Sequence, residues 1–79
     1  MNSNTVELIE IEKKLISLGF YEKYPNIDFS YEVAKRTGEL GRKYPSNKAI
    51  RLARKWFKEF KSTREIKDLK GEKNERGDS

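Results

Sequence analysis

The sequence predicts an all-α fold: a small three-helix domain followed by a short fourth helical piece and a disordered C-terminal tail. Three observations predict it. Apolar residues recur at three- and four-residue spacing in three separate stretches, the period of a helix with one buried face. Those stretches are bounded by side chains that cap helices and by Gly or Pro residues that stop them. With 79 residues, 34% of them apolar, the chain can build one small core and no more. One domain over residues 1–70 is expected, with helices near 5–18, 30–44 and 46–61 and a last piece at 63–70.

In the first stretch, Asn4 is placed to cap a helix, and Glu7 stands three residues later as a capping box requires. Good helix formers run from Thr5 to Leu18, and Gly19 suits the left-handed position past a helix end. Leu8, Ile11, Leu15 and Leu18 form one stripe, flanked by Ile9 and Ile16. The stripe is wide for so short a helix. It either faces the core or serves in part as a homodimer seam, because paired helices use the same spacing.

The next segment, FYEKYPNIDFS, reads as a connection, since Pro25 pushes Tyr24 out of helical geometry and Asn26 and Asp28 favour turns. Phe20, Tyr21, Ile27 and Phe29 are expected to cover the core. A second helix begins near Ser30, with Asp28 as an alternative cap. Val33, Thr37, Leu40 and Tyr44 share a face and carry the helix to Pro45, where it must stop. Gly38 and Gly41 oppose it, at roughly 1 kcal/mol each against Ala, and mark either a close crossing or an earlier turn.

Ser46 caps the third helix, which runs to about Lys61. The stretch STRE, residues 62–65, resembles another capping box opening a short piece with Ile66 and Leu69 inward, or equally continues the third helix with a bend. From Gly71 the chain is polar and charged, with nothing to bury, and is expected to be disordered. Its final RGDS is taken as compositional coincidence.

The composition removes whole classes of chemistry. Without Cys there are no disulfides, thiolate metal sites or thiol nucleophiles, and without His the commonest metal ligand and general base is missing. Asp28, Glu32 and Glu39 have no partner that would make them catalytic, so neither an enzyme nor a cofactor is expected. The polar N-terminus does not resemble a signal peptide, and no apolar run approaches the length of a membrane span. A soluble, cytoplasmic protein follows.

The net charge of +5 is unevenly spread. Residues 1–27 carry three cations and four acids, residues 28–61 ten cations and four acids, and residues 62–79 five of each. All the excess therefore lies in the middle. On a helical wheel of the third helix, Ile50, Ala53, Phe57 and Phe60 lie together, with Ala49 and Trp56 at their edge. Arg51, Arg54, Lys55, Lys58 and Lys61 fall within an arc of about 120° opposite. Arg51–Lys55, Arg54–Lys58 and Arg51–Arg54 are like-charge neighbours, each costing a few tenths of a kcal/mol. A solvated face would intersperse both signs. A phosphate backbone would reward the gathered charge through counterion release.

Residues 32–40, EVAKRTGEL, resemble the first helix and turn of helix-turn-helix DNA-binding domains, with Ala34 at the packing position, Gly38 at the turn and Val33 as the apolar neighbour. Pro45 departs from that family's pattern, falling where the recognition helix would have its middle. The resemblance then implies a lengthened turn and a recognition helix from Ser46, with Asn47, Lys48, Arg51, Arg54 and Lys55 toward the major groove or its phosphates.

The expected function is that of a small basic regulator binding nucleic acid, double-stranded DNA first and RNA second. Lys48, Arg51, Arg54, Lys55, Lys58 and Lys61 would make the contacts, and Lys35, Arg36, Arg42 and Lys43 would extend the surface. Leu8, Ile11, Leu15 and Leu18 would form the seam of a dimer. The alternative is an adaptor or inhibitor docking an acidic protein. A membrane surface is disfavoured, since the aromatics it would need are required for the core.

Overall fold

Asn2, not Asn4, opens the first helix. Its Oδ1 accepts from the amides of Asn4 at 2.8 Å and Thr5 at 3.4 Å, satisfying two N–H groups that the first turn leaves without partners. The computed structural model describes residues 2–70, and α1 spans Ser3–Ser17. The predicted disordered tail, 71–79, lies outside the described residues. Asn4 is left free for another task. Its Nδ2 donates to Pro45 O at 3.1 Å and Asn47 Oδ1 at 3.0 Å, tying the start of α1 to a segment forty residues away in the chain.

Gly19 ends α1 as expected, at φ +89°, and turns the chain into a single helical turn, α2 (Phe20–Lys23). The sequence marks this stretch only as a connection. It is helical because the left-handed glycine points Phe20 and Tyr24 inward, and both are buried. Phe20 meets Phe29 at 5.8 Å and Phe60 at 5.6 Å between ring centroids, both edge to face.

Asp28 caps α3 (Phe29–Arg36), its Oδ1 accepting from Tyr31 N at 3.2 Å, so Ser30 lies inside the helix. The helix predicted to reach residue 44 stops at 36. Gly38 adopts φ +72° and closes a Schellman motif, with Glu39 N donating to Ala34 O at 2.7 Å and Gly38 N to Lys35 O at 3.2 Å. Val33 and Thr37 are buried, but the periodic continuation through Leu40 and Tyr44 points into solvent.

Ser46 caps α4 (Asn47–Thr63) by accepting from Ala49 N at 3.3 Å. Glu39 holds the cap from behind, accepting from the Ser46 hydroxyl and from Ser46 N at 3.2 Å. The hydroxyl bond keeps the Glu39 carboxyl below its ordinary range. α4 absorbs Ser62 and Thr63, so STRE does not open a new helix. Arg64, at φ +62°, ends α4 instead, and only a 3₁₀ turn, Lys67–Leu69, forms in the predicted fourth piece.

That last segment is nonetheless firmly held. Ile66 N donates to Tyr24 Oη at 3.0 Å, Trp56 Nε1 to Asp68 Oδ2 at 2.9 Å, and Lys67 N to Glu59 Oε2 at 3.1 Å. Ile66 and Leu69 are fully buried beneath these bonds. Trp56, expected at the edge of the apolar face, is the largest of the fully buried side chains. Phe57, expected in the core, is half-buried at its margin.

The candidate dimer seam is used within the chain. Ile11 and Leu15 are buried in the core, and Leu8 and Leu18 pack against it. Along that stripe α1 packs against α4 and its neighbours, while the flanking Ile9 and Ile16 stay exposed. The described residues contain no helix long and apolar enough to cross a membrane.

Tyr21 joins three elements. Its hydroxyl donates to Glu12 Oε2 of α1 at 2.7 Å and accepts from Phe29 N, the first amide of α3, at 2.9 Å. Burial is the main cause that pushes its ionisation up to about 12. The fold holds the neutral phenol, so this contribution is complete below the unfolded value of about 10 and is lost as pH rises from there to about 12. A spectrophotometric titration is expected to show a phenol ionising near 12, and Tyr21→Phe to remove that step at a cost of about 1 kcal/mol. A titration unaltered by the substitution would place the late step elsewhere.

Candidate functional site

The long cationic helix is exposed along one side because the other is filled. Ala49, Ile50, Ala53, Trp56 and Phe60 of α4 are buried, which turns Lys48, Arg51, Lys55 and Lys58 outward. At 3.6 residues per turn and 1.5 Å rise, these four make a band about 15 Å long. None of the four forms an ion pair among the described residues. Lys48 also lies in the first turn of α4, where no acid is present and a cation opposes the helix dipole. Both features raise the local potential. Neither helps α4 to form.

The remaining predicted contacts divide. Arg54 is exposed but already engaged. Its Nε lies 2.5 Å from Glu7 Oε2 and its Nη2 2.8 Å from Glu7 Oε1, a bidentate pair that bridges α4 to α1. The pair's hydrogen bonds hold the Glu7 carboxyl below its ordinary range and raise the guanidinium further. Lys61 leans over the Phe57 ring at 5.7 Å, and Lys14 of α1 reaches the same ring at 5.8 Å. The cationic surface therefore continues across the α4–α1 seam to Lys14, a residue that sequence reasoning did not single out.

Arg42 and Lys43 lie in the connection ahead of α4. Arg42 Nε is 3.4 Å from Tyr44 O, and the Lys43 ammonium sits 5.6 Å from the Tyr44 ring. Arg42 and Lys48 both act on Glu39 by charge, which places them at the same end of the helix. Lys35 is exposed on α3, and Arg36 does not join the band. Arg36 pairs with Glu32 at 3.4 Å and lies 6.0 Å from the Trp56 ring, on the side of α4 that packs against α3.

Glu7 is the partner of a predicted contact residue that the sequence concealed. Its partner lies 47 residues away, and its spacing from Asn4 suggests a capping box instead. No local pattern marks the pairing.

Two further features bear on chemistry. Aromatic platforms are missing from the band: Trp56 and Phe60 are buried, and Phe57 is half-buried under two lysines. Away from the band, a cleft of about 160 Å³ is lined by Leu8, Val33, Ala34, Pro45 and Ala49, with Glu39, Arg42 and Tyr44 among its polar surroundings. No group of three or more metal-ligating side chains occurs among the described residues. Comparisons with protein-family models, with curated proteins and with solved structures find no match to this chain.

Proposed function

We propose that this protein binds the backbone of a double-helical nucleic acid, DNA in the first instance, through the outward face of α4. The observation that carries the proposal is the band of Lys48, Arg51, Lys55 and Lys58, four cations without carboxylate partners among the described residues. Like charges at i,i+3 and i,i+4 weaken a helix, and a polyanion turns that cost into a gain by releasing its condensed counterions. Single strands are held by base stacking on exposed aromatic rings together with charge. The band offers charge alone, which favours a duplex.

The helix-turn-helix resemblance of residues 32–40 supports the same class of ligand. Ala34 and the left-handed Gly38 stand where that motif has its helix and turn, but ten residues separate α3 from α4. The band supports contact with phosphates and carries no argument for reading bases.

Titration of random duplex DNA at several salt concentrations tests the proposal. With four phosphate contacts at about 0.9 each, log K is expected to fall against log salt with a slope of about −3.6 or steeper. Absence of binding at low salt would reject it. A second function, docking of an acidic protein, draws on the small apolar cleft beside Arg42 and Lys43. Binding of that kind, led by apolar contact, would depend much less on salt.

A further inference from the structure

We propose that Glu7 is a built-in competitor for the nucleic-acid backbone, and that Arg54 is a latent phosphate-binding residue which the backbone must take from it. This rests on the phosphate-binding role assigned to α4. On the helical wheel Arg54 stands between Lys58 and Lys61, at the edge of the band nearest α1. Its side chain is 59% exposed, so a phosphate passing along the band can reach it. Yet the guanidinium fork is filled by the two oxygens of Glu7, at 2.5 and 2.8 Å. A carboxylate and a phosphate present the same paired oxygens to that fork, so one excludes the other.

Glu7 is free to leave. Its side chain is 35% exposed, and Asn2 caps α1 without it. Lys14, which acts on Glu7 by charge, lies on the same seam and would hold the displaced carboxylate near α1. Arg54 therefore adds little to the cation count in the resting chain. Exchange of its partner couples occupancy of the band to the contact between α1 and α4.

Salt-dependent duplex titrations of three proteins test this. Glu7→Gln is expected to bind about tenfold more tightly near 0.1 M salt, with a slope steeper by about 0.9, the signature of one added phosphate contact. Adding Arg54→Gln to that variant is expected to return the slope to its starting value. If Glu7→Gln leaves the slope unchanged, the competition does not exist. If the slope steepens but survives the loss of Arg54, another cation makes the added contact and the assignment of Arg54 fails. Circular dichroism melts establish that each variant is folded. Salt-insensitive or absent binding by the unaltered chain would instead reject the parent proposal, and this one with it.

Discussion

Arg51→Glu combined with Lys55→Glu is expected to reduce duplex binding more than a hundredfold while leaving the helical circular dichroism unchanged. Each lost phosphate contact is worth about eightfold near 0.1 M salt, so two remove about sixtyfold before the two new carboxylates begin to repel the backbone. Folding is protected because both side chains are exposed and unpaired among the described residues. The new acids also gain partners at i,i+3, Arg54 for residue 51 and Lys58 for residue 55, where like charges stood before. A thermal melt at or above the starting temperature, with binding gone, is the expected pair of results. Undiminished affinity would remove α4 as the contact surface. Reversal at Arg54 and Lys58 is a poorer choice, because a glutamate at 54 would face Glu7 across the α1–α4 seam and damage the fold along with the surface.

The largest effect on stability is expected from Ile66→Ala with Leu69→Ala. Both side chains are fully buried, and each truncation costs about 2–5 kcal/mol in transfer and cavity terms. A described unit of this size has roughly 3.5–10 kcal/mol to lose, at about 0.05–0.15 kcal/mol per residue. The double variant is therefore expected to lack a cooperative urea transition at room temperature. Leu69→Ala alone should fold with a lowered midpoint. A double variant that melts like the parent would show that the core closes without residues 64–70, against the bonds that Tyr24, Trp56 and Glu59 make to them.

The helix content was legible wherever one periodic face met one real boundary. α4 begins within a residue of its expected start because Ser46 is both a good cap and the first non-proline after Pro45. α3 is shorter than the periodicity predicts, because Val33, Thr37, Leu40 and Tyr44 keep helical spacing beyond the point where the helix has ended. The two glycines that opposed the longer helix carried the truer signal: both adopt positive φ, which a helix interior forbids. Asn2 and Asn4 are equally good caps locally, and only the distant bonds of Asn4 to Pro45 and Asn47 decide between them. The cationic band was visible because it lies on one helix and needs only the helical period. The Glu7–Arg54 pair was not, because it depends on how two helices cross. Trp56 was placed at an edge for a similar reason, since the chain that covers it arrives from residues 66–69.

The burial of Trp56 also makes the molecule optically two-sided. Its indole is sealed in the core, hydrogen-bonded to Asp68 and set against Phe29 at 6.1 Å, while the cationic band lies on the opposite side of the same helix. A polyanion settling on the band leaves the indole's surroundings as they were, and its emission stays that of a dry site. Detachment of the 64–70 segment strips away Asp68 and admits water to the ring, shifting that emission to the red. The single tryptophan thus reports whether the C-terminal clasp is closed and stays silent about what the outer face is holding.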